Sequence, residues 1–433
     1  MRLQIGIIAD DLTGANDSGV QLTKKGIPTS VLFDIPQASN RLNHGLVIDT
    51  NSRALAKKDA ISITIQAGEY LKNAGFTTIY KKMDSTLRGY IGTELQTLEE
   101  VFGPEFIFIA PAFPSLGRTT KNGIHYVNGV ELAETETAKD PKHPVKNSSI
   151  PALIEEEIGV PVGLIRQEDI YLDNDSFAKK IENFKEQGIS YLVCDAESFE
   201  DLREGAKKMS SISRNVIWAG SAGLAEVLPE TLGLESEVGE QVERRAERVM
   251  TVCGSLSQVT QGQVQYAANQ PQIEAVEIDP TIFFLDEWEY ARQTYIERCL
   301  EGFAKEKDVV LYVPSDERAR SDVKAIGEKL KLTKNAIGER ISNGIGEIVE
   351  QVAFRNRDLT GFVLTGGDTA KDTSRHLGGL GFQLIQEVET GIPLGTLIGP
   401  EKDYLVITKA GAFGTETSIH HAMLELKGVH NHV

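Results

Sequence analysis

One pattern, used twice about 350 residues apart, limits what this chain can become. Near the N-terminus the apolar run Ile5-Gly6-Ile7-Ile8-Ala9 opens into Asp10-Asp11-Leu12-Thr13-Gly14-Ala15. Near the C-terminus Gly361-Phe362-Val363-Leu364-Thr365 opens into Gly366-Gly367-Asp368-Thr369-Ala370. Each reads as a buried strand, a loop and then a helix. Strands that are apolar without alternation belong to a sheet covered on both faces, which is the parallel arrangement. In such sheets the loop leaving the carboxyl end of a strand is where ligands bind. The chain therefore offers a ligand loop in each half, as expected where two reactants are held separately and brought together.

At 433 residues the chain exceeds one ordinary core, so two domains are expected. Strand-length apolar runs recur at Leu3–Ala9, Thr29–Phe33, Leu46–Ile48, Thr77–Tyr80, Phe106–Ala110, Tyr191–Cys194 and Val216–Ala219. Helix-period stretches such as Ala54–Asn73, Gly92–Phe102 and Phe177–Glu186 lie between them. Residues 229–247 are charged, carry Pro229, Gly233 and Gly239, and read as a linker. The alternation then restarts with strands at Val249–Cys253, Ala275–Ile278, Asp308–Val313, Phe362–Thr365, Phe382–Val388 and Tyr404–Lys409, and a long helix from about Asn335 to Phe354. The expected fold is α/β with two domains, 1–228 and 248–433. Each is a mainly parallel sheet flanked by helices, with the active site in the cleft between them. Residues 111–150 show little strand or helix pattern and read as a long functional loop.

The 63 acidic against 45 basic residues give a net charge of −18, which argues against a nucleic-acid partner. A local basic cluster can still bind a small acid. Three scattered cysteines (Cys194, Cys253 and Cys299) fit buried thiols rather than a zinc site or a disulfide framework. No run approaches the roughly 20 apolar residues of a membrane span, and the first residues carry no signal-type stretch, so a cytoplasmic location is expected.

Two adjacent acids at a strand end, Asp10 and Asp11, repel each other unless something uses them. They can take a hydroxyl proton or hold a cation, although either Asp11 or Thr13 could also simply cap the next helix. Lys81-Lys82-Met83-Asp84-Ser85-Thr86-Leu87-Arg88-Gly89 follows another strand and gathers three cations, one acid and hydroxyls, a set suited to a small polyhydroxy acid. Arg53 ends a neighbouring strand and is a second carboxylate clamp; Arg118 and Lys121 could reach an anion. His125 and His143 are single histidines, expected to be structural. In the C-terminal half Gly254-Ser255-Leu256-Ser257, Gly366-Gly367-Asp368-Thr369 and Lys409-Ala410-Gly411-Ala412-Phe413-Gly414 each follow a strand. Three small-residue loops of this kind favour a nucleotide's phosphates, with Asp368 placed to orient magnesium or cap a helix. Neither a P-loop nor a dinucleotide fingerprint is present.

With these motifs assembled, the chain resembles the four-carbon acid sugar kinase family, which comprises D-threonate, D-erythronate and 3-oxo-tetronate kinases. The resemblance runs nearly end to end. It rests on the Ile8–Ala15 and Lys82–Gly89 blocks, Phe113-Pro114 with Gly117-Arg118, Glu136-Thr137 with Asp140-Pro141 and Pro144-Val145, Trp218–Leu224, Gly254-Ser255, Gly366–Thr369 and Lys409–Gly414. It implies an acid-sugar domain followed by an ATP domain, and phosphoryl transfer from ATP, with Mg²⁺, to the C4 hydroxyl of a four-carbon acid. By similarity Asp10 or Asp11, Arg53, Lys82, Met83, Asp84 and Ser85 would bind the acid. Ser255, Gly366, Gly367, Asp368, Thr369, Gly411, Ala412, Phe413 and Gly414 would bind ATP; no metal ligand is assigned. Asp11, with Asp10 as rival, would act on the attacking hydroxyl, while Arg53, Lys82 and Arg88 would grip the carboxylate. The Asp-Leu-Thr-Gly wording is nearer the threonate and erythronate branches than the 3-oxo branch. The alternatives are a 3-oxo-tetronate 4-kinase, a non-catalytic sugar-acid sensor and a carboxylate-activating ligase. The expected partners are a sugar acid and ATP, with neither nucleic acid nor membrane; a homo-oligomer stays open.

Overall fold

The computed structural model describes residues 4–36, 43–140, 143–234, 244–255 and 257–429, and the chain divides into two units, residues 1–238 and 239–433. In the first unit the strands are β1 Ile5–Ala9, β2 Thr29–Leu32, β3 Gly45–Asp49, β4 Thr78–Lys82, β5 Phe106–Ala110, β6 Arg118–Lys121, β7 Ile124–Val127, β8 Val130–Glu131, β9 Val162–Ile165, β10 Tyr191–Cys194 and β11 Val216–Gly220. Eight of them form a sheet in the order β2-β3-β1-β4-β11-β5-β10-β9, parallel at every pairing. Consecutive side chains of β1, Ile7 and Ile8, are both fully buried, so both faces are covered. Helices Lys57–Ala74, Ile91–Phe102 and Ile150–Ile158 pack together, as do Leu12–Lys24, Phe199–Ile212 and Ala222–Thr231.

The chain runs from β1 outward to β2, returns through β3, and then crosses β1 to reach β4. The winding direction thus reverses at β1, and the loops leaving β1, β3 and β4 open side by side at the carboxyl edge. In doubly wound sheets this switch point is where ligands sit.

The second unit repeats the device. Its strands are β12 Arg248–Cys253, β13 Ile273–Glu277, β14 Asp308–Tyr312, β15 Leu359–Thr365, β16 Gly381–Glu389, β17 Ile392–Ile398 and β18 Leu405–Lys409, in the order β13-β14-β12-β15-β18-β17-β16. The winding reverses at β12 as it does at β1. Strands β12–β15 and β18 are parallel, and the β16-β17 hairpin closes the edge antiparallel.

The fold class follows the sequence expectation, with several elements added. Strands β9 and β17 and helices Trp288–Ala304 and Glu317–Lys329 were not among the expected elements. The expected loop 111–150 instead contains the three-stranded meander β6-β7-β8, turned at Asn122-Gly123 and Asn128-Gly129, all four residues at φ between 51° and 79°. Asn-Gly is the usual sequence signal for such turns, and it was present twice. Within the expected linker, residues 229–231 close a helix, Pro229 included, and residues 235–243 lie outside the described residues. The three cysteines are buried free thiols, and among the described residues no helix is long and apolar enough to cross a membrane.

Candidate active site

At the switch point of the first unit, Asp10 and Asp11 leave β1. Asp11 caps helix Leu12–Lys24, its Oδ1 accepting the Gly14 amide at 2.8 Å. Its Oδ2 lies 3.0 Å from Arg53 Nη1. Asp10 is buried and its Oδ2 receives Arg53 through Nε and Nη2, both at 2.8 Å. Burial opposes the charge of Asp10, but Arg53, Lys81 and Lys82 together hold its carboxyl below the usual range. Asp10 Oδ1 is buried without a hydrogen-bond partner.

Arg53 enters from the short 3₁₀ turn Ser52–Ala54 after β3. Asp84 leaves β4 and accepts Arg88 Nε at 2.6 Å and Thr86 Oγ1 at 2.6 Å. Burial again opposes ionisation, yet Arg53 and Arg88 keep the Asp84 carboxyl far below the usual carboxylate range. The loop closes over Leu87 at φ 58° and Gly89 at φ 106°. A side chain on Gly89 would be strained by this φ and would point at Asp10 Oδ2, 3.5 Å from its Cβ.

Arg53 and Arg88, expected from sequence to grip a carboxylate, both have carboxylate partners within the site. Arg53 is held by Asp10 and Asp11, and Arg88 by Asp84, with Asp140 3.6 Å away. A substrate carboxylate would have to compete with partners tethered to the same loops. Lys81 forms a buried ion pair with Glu94 at 2.9 Å and donates to the Lys82 carbonyl at 3.0 Å. Lys82 differs: it is 4% exposed, its Nζ donates to the Met83 carbonyl at 2.7 Å, and among the described residues no carboxylate stands within ion-pair range. A Cβ on Gly14 would sit 2.6 Å from Lys82 Nζ and 2.8 Å from Asp11 Oδ1, so only glycine leaves this corner open. Met83 packs its side chain in the core and contributes its carbonyl. Ser85 is half-buried beside Asp84. Arg118 turns back to the Leu116 carbonyl, and Lys121 pairs with Glu197 at the surface. Sequence reading left His125 and His143 unassigned, yet they reach the Ser85 and Arg53 carbonyls. Nothing in local sequence signals this, because both partners are backbone atoms distant along the chain.

In the second unit the three small-residue loops leave β12, β15 and β18, which are neighbours in the sheet. A cavity of about 600 Å³ is lined at one end by Gly254, Ser255 and Gly366–Thr369. Its lining also includes Val323, Ile337 and Ile341, from two helices that carry no recognisable motif. The amide groups opening helix Gly367–His376 have no intrahelical acceptors, which suits phosphate, and the apolar wall suits a flat base. Gly411 lies outside this cavity but against it, since a Cβ there would come within 2.5 Å of Ser255 Oγ.

The 410–414 loop is held from behind. Lys409 Nζ donates to Ala410 O at 2.8 Å, Phe413 O at 3.1 Å and Thr260 Oγ1 at 3.3 Å. Thr260 and Gln263 bind the Gly411 and Phe413 carbonyls. Burial pushes the Lys409 ammonium down to about 8. Asp368, exposed in the first turn of its helix, is a hard oxygen donor beside Ser255 and Thr369. Leu256 lies outside the described residues.

A charged polyol-type site on one α/β unit and a glycine-lined nucleotide cavity on the other define the class: a two-domain, nucleotide-using enzyme of small-molecule metabolism. Comparison with known proteins carries this further. Residues 5–228 match the model of a sugar-binding N-terminal domain, and residues 250–419 that of a nucleotide-binding C-terminal domain. D-threonate kinase of Salmonella typhimurium is 33% identical over 96% of this chain and 97% of its own length. D-erythronate kinase of Heliobacterium modesticaldum is 28% identical over 94% and 93%, and 3-oxo-tetronate kinase of Pseudomonas fluorescens 28% over 98% and 97%. The crystal structure of Haemophilus influenzae protein HI1011 shares the fold with a TM-score of 0.77 at 24% identity, covering 97% of this chain and 100% of that one. The chain belongs to the four-carbon acid sugar kinase family.

Proposed function

We propose that this kinase transfers the γ-phosphoryl group of ATP to the C4 hydroxyl of D-threonate or D-erythronate. The observation that carries the substrate class is Lys82. A buried ammonium whose hydrogen bond goes to a carbonyl, with no carboxylate in ion-pair range among the described residues, beside arginines already paired with aspartates, is a site for one more carboxylate. Lys82 would bind the acid's carboxylate, Asp84 and Ser85 the middle hydroxyls, and Asp11 would orient the C4 hydroxyl. That oxygen attacks the γ-phosphorus, the bond to the β-phosphate oxygen breaks, and the hydroxyl proton leaves by way of Asp11. Asp10, fixed on Arg53, holds the acid site together.

The donor nucleotide would lie in the 600 Å³ cavity, its phosphates against Gly254, Ser255 and Gly366–Thr369. Among the described residues no three His, Cys, Asp or Glu side chains cluster as a metal cage. A single carboxylate with hydroxyls beside the phosphates is nonetheless the set that Mg²⁺ accepts, the rest of its shell being phosphate and water. Asp368, Ser255 and Thr369 fit that role, and Mg²⁺ would there neutralise charge during transfer. The D-threonate kinase relative at 33% identity supports threonate as the first acid to try.

The test is ADP release with Mg·ATP and D-threonate, D-erythronate, their L-forms or 3-oxo-tetronate, with NMR of the product. Phosphate on C4 of one acid supports the reading. AMP release or an acyl phosphate would make the protein a ligase, and acid binding without turnover would make it a sensor. Lys82→Met should raise the KM for the acid roughly 10- to 100-fold, the scale of a lost hydrogen bond to a charged group, with KM for ATP little changed. An unchanged acid KM removes Lys82 from the carboxylate.

A further inference from the structure

We propose that His125, in the meander after β5, and His143, beyond it, act as a positioning strap: each holds the backbone carbonyl of a substrate-site residue, Ser85 and Arg53, and so fixes the acid site without touching the acid. The kinetic part of this inference rests on the acid-kinase reading above; the structural part does not.

The strap has a fixed end. Asp195, just past β10, accepts the amides of Asn122 and Gly123 at 2.7 and 2.8 Å, and Thr120 pairs with Ala196. From this turn His125, fully buried, places Nε2 2.9 Å from the Ser85 carbonyl and Nδ1 3.1 Å from Thr120 Oγ1. A carbonyl can only accept, so Nε2 carries the proton and Nδ1 accepts from the threonine hydroxyl. Burial pushes the His125 ring down to about 4, so it keeps this single tautomer at neutral pH. The second hold comes from His143, after the meander in sequence. His143 Nε2 lies 2.8 Å from the Arg53 carbonyl, and the ring stands edge-on to Tyr90 with centroids 4.9 Å apart. The His143 amide is bound by Asp140 Oδ1 at 2.8 Å, while Asp140 Oδ2 lies 3.6 Å from Arg88 Nη1.

The two histidines thus reach the 3₁₀ turn carrying Arg53 and the strained loop carrying Asp84, Ser85 and Arg88. These are the loops leaving β3 and β4, and no other described side chain donates to the Ser85 or Arg53 carbonyl. Holding a loop at a carbonyl sets where its side chains point, and a misplacement near 1 Å at a reacting group is costly.

Hydrogen exchange by mass spectrometry on the full-length ligand-free protein tests the strap directly. His143→Ala should speed exchange at residues 51–55, and His125→Ala at residues 84–88. Each should also raise the KM for the acid about tenfold, the scale of one hydrogen bond, while KM for ATP stays within twofold. His143→Gln and His125→Gln, whose Nε2 can donate from nearly the same place, should recover most of both effects. These variants also stand in if an alanine variant does not fold. Wild-type exchange in these loops with a wild-type acid KM would overturn the proposal. So would a general loss of stability that raises both KM values and that glutamine does not rescue. If the wild-type protein turns over no four-carbon acid, the kinase reading fails, and the exchange data alone then decide the strap.

Discussion

Asp11 can be read two ways, as a helix cap or as a group acting on a substrate hydroxyl, and its two oxygens leave room for both. Its Oδ1 caps a helix, and its Oδ2 meets Arg53 beside the open corner at Gly14. Asp11→Asn keeps the cap, because asparagine caps well, but removes the charge that orients a hydroxyl. It should lower kcat roughly 10²-fold with little change in melting temperature. Near-normal turnover would remove Asp11 from the chemistry. Lys409 gives a pH test. In the folded protein burial lowers it to about 8, against an ordinary 10.5. As pH rises through 8 the ammonium behind the phosphate loop is lost, so KM for ATP should rise, and Lys409→Arg should flatten that profile. Stability should move the other way. Between 8 and 10.5 the unfolded chain still holds the proton that the folded chain has released, so stability increases with pH. A KM for ATP that is level from pH 7 to 9.5 in the unmodified protein would count against Lys409 as a phosphate-loop residue. The acidic pair and the Lys82–Arg88 block were legible in sequence as charged strand-end loops, and the fold brings them together. Which cations already have a carboxylate partner was not legible, since that depends on which carboxylates the fold brings to each of them.

The loops were legible as elements because each follows an apolar strand and contains glycine. Their mutual support was not. Gly411 needs no unusual φ; it is small because Ser255, more than 150 positions earlier, lies against it. Gly411→Ala should therefore raise KM for ATP roughly tenfold, about 1.4 kcal/mol, and leave the acid KM unchanged in initial-rate assays. An unaltered ATP KM would show that the loop absorbs the methyl group and that the contact is unimportant. The meander β6-β7-β8 is the opposite case. Its two Asn-Gly turns are local signals, but its polar, short strands lack the apolar runs by which the parallel strands announce themselves. Helices Glu317–Lys329 and Lys334–Arg355 supply the apolar cavity wall with no motif, because a hydrophobic residue lining a pocket and one lining a core look alike in sequence.

At the scale of the whole molecule, the chain holds two units wound on the same plan, β2-β3-β1-β4 and β13-β14-β12-β15, each with its glycine- and acid-bearing loops where the winding reverses. Ligands that bind one folded unit stabilise that unit by mass action. Saturating Mg·ATP, at roughly 100 times its Kd, should add about 2.7 kcal/mol to the unit carrying the glycine loops, and the acid should act on the other. Calorimetry of the full chain, with hydrogen exchange to locate each effect, should show ATP protecting residues 254–255 and 366–370. Protection by ATP at residues 82–89 instead would reverse the assignment of the two sites. The sequence by itself determined the α/β class, the two-part organisation, the strand-end loops and the kinds of side chain in them, because strand hydrophobicity and loop composition are local properties. Only the tertiary structure decided that β1, β3 and β4 open together, that Arg53 and Arg88 have carboxylate partners while Lys82 has none in ion-pair range among the described residues, and that two histidines reach the Ser85 and Arg53 carbonyls. Those facts depend on strand order and through-space contact, which spacing along the chain does not encode.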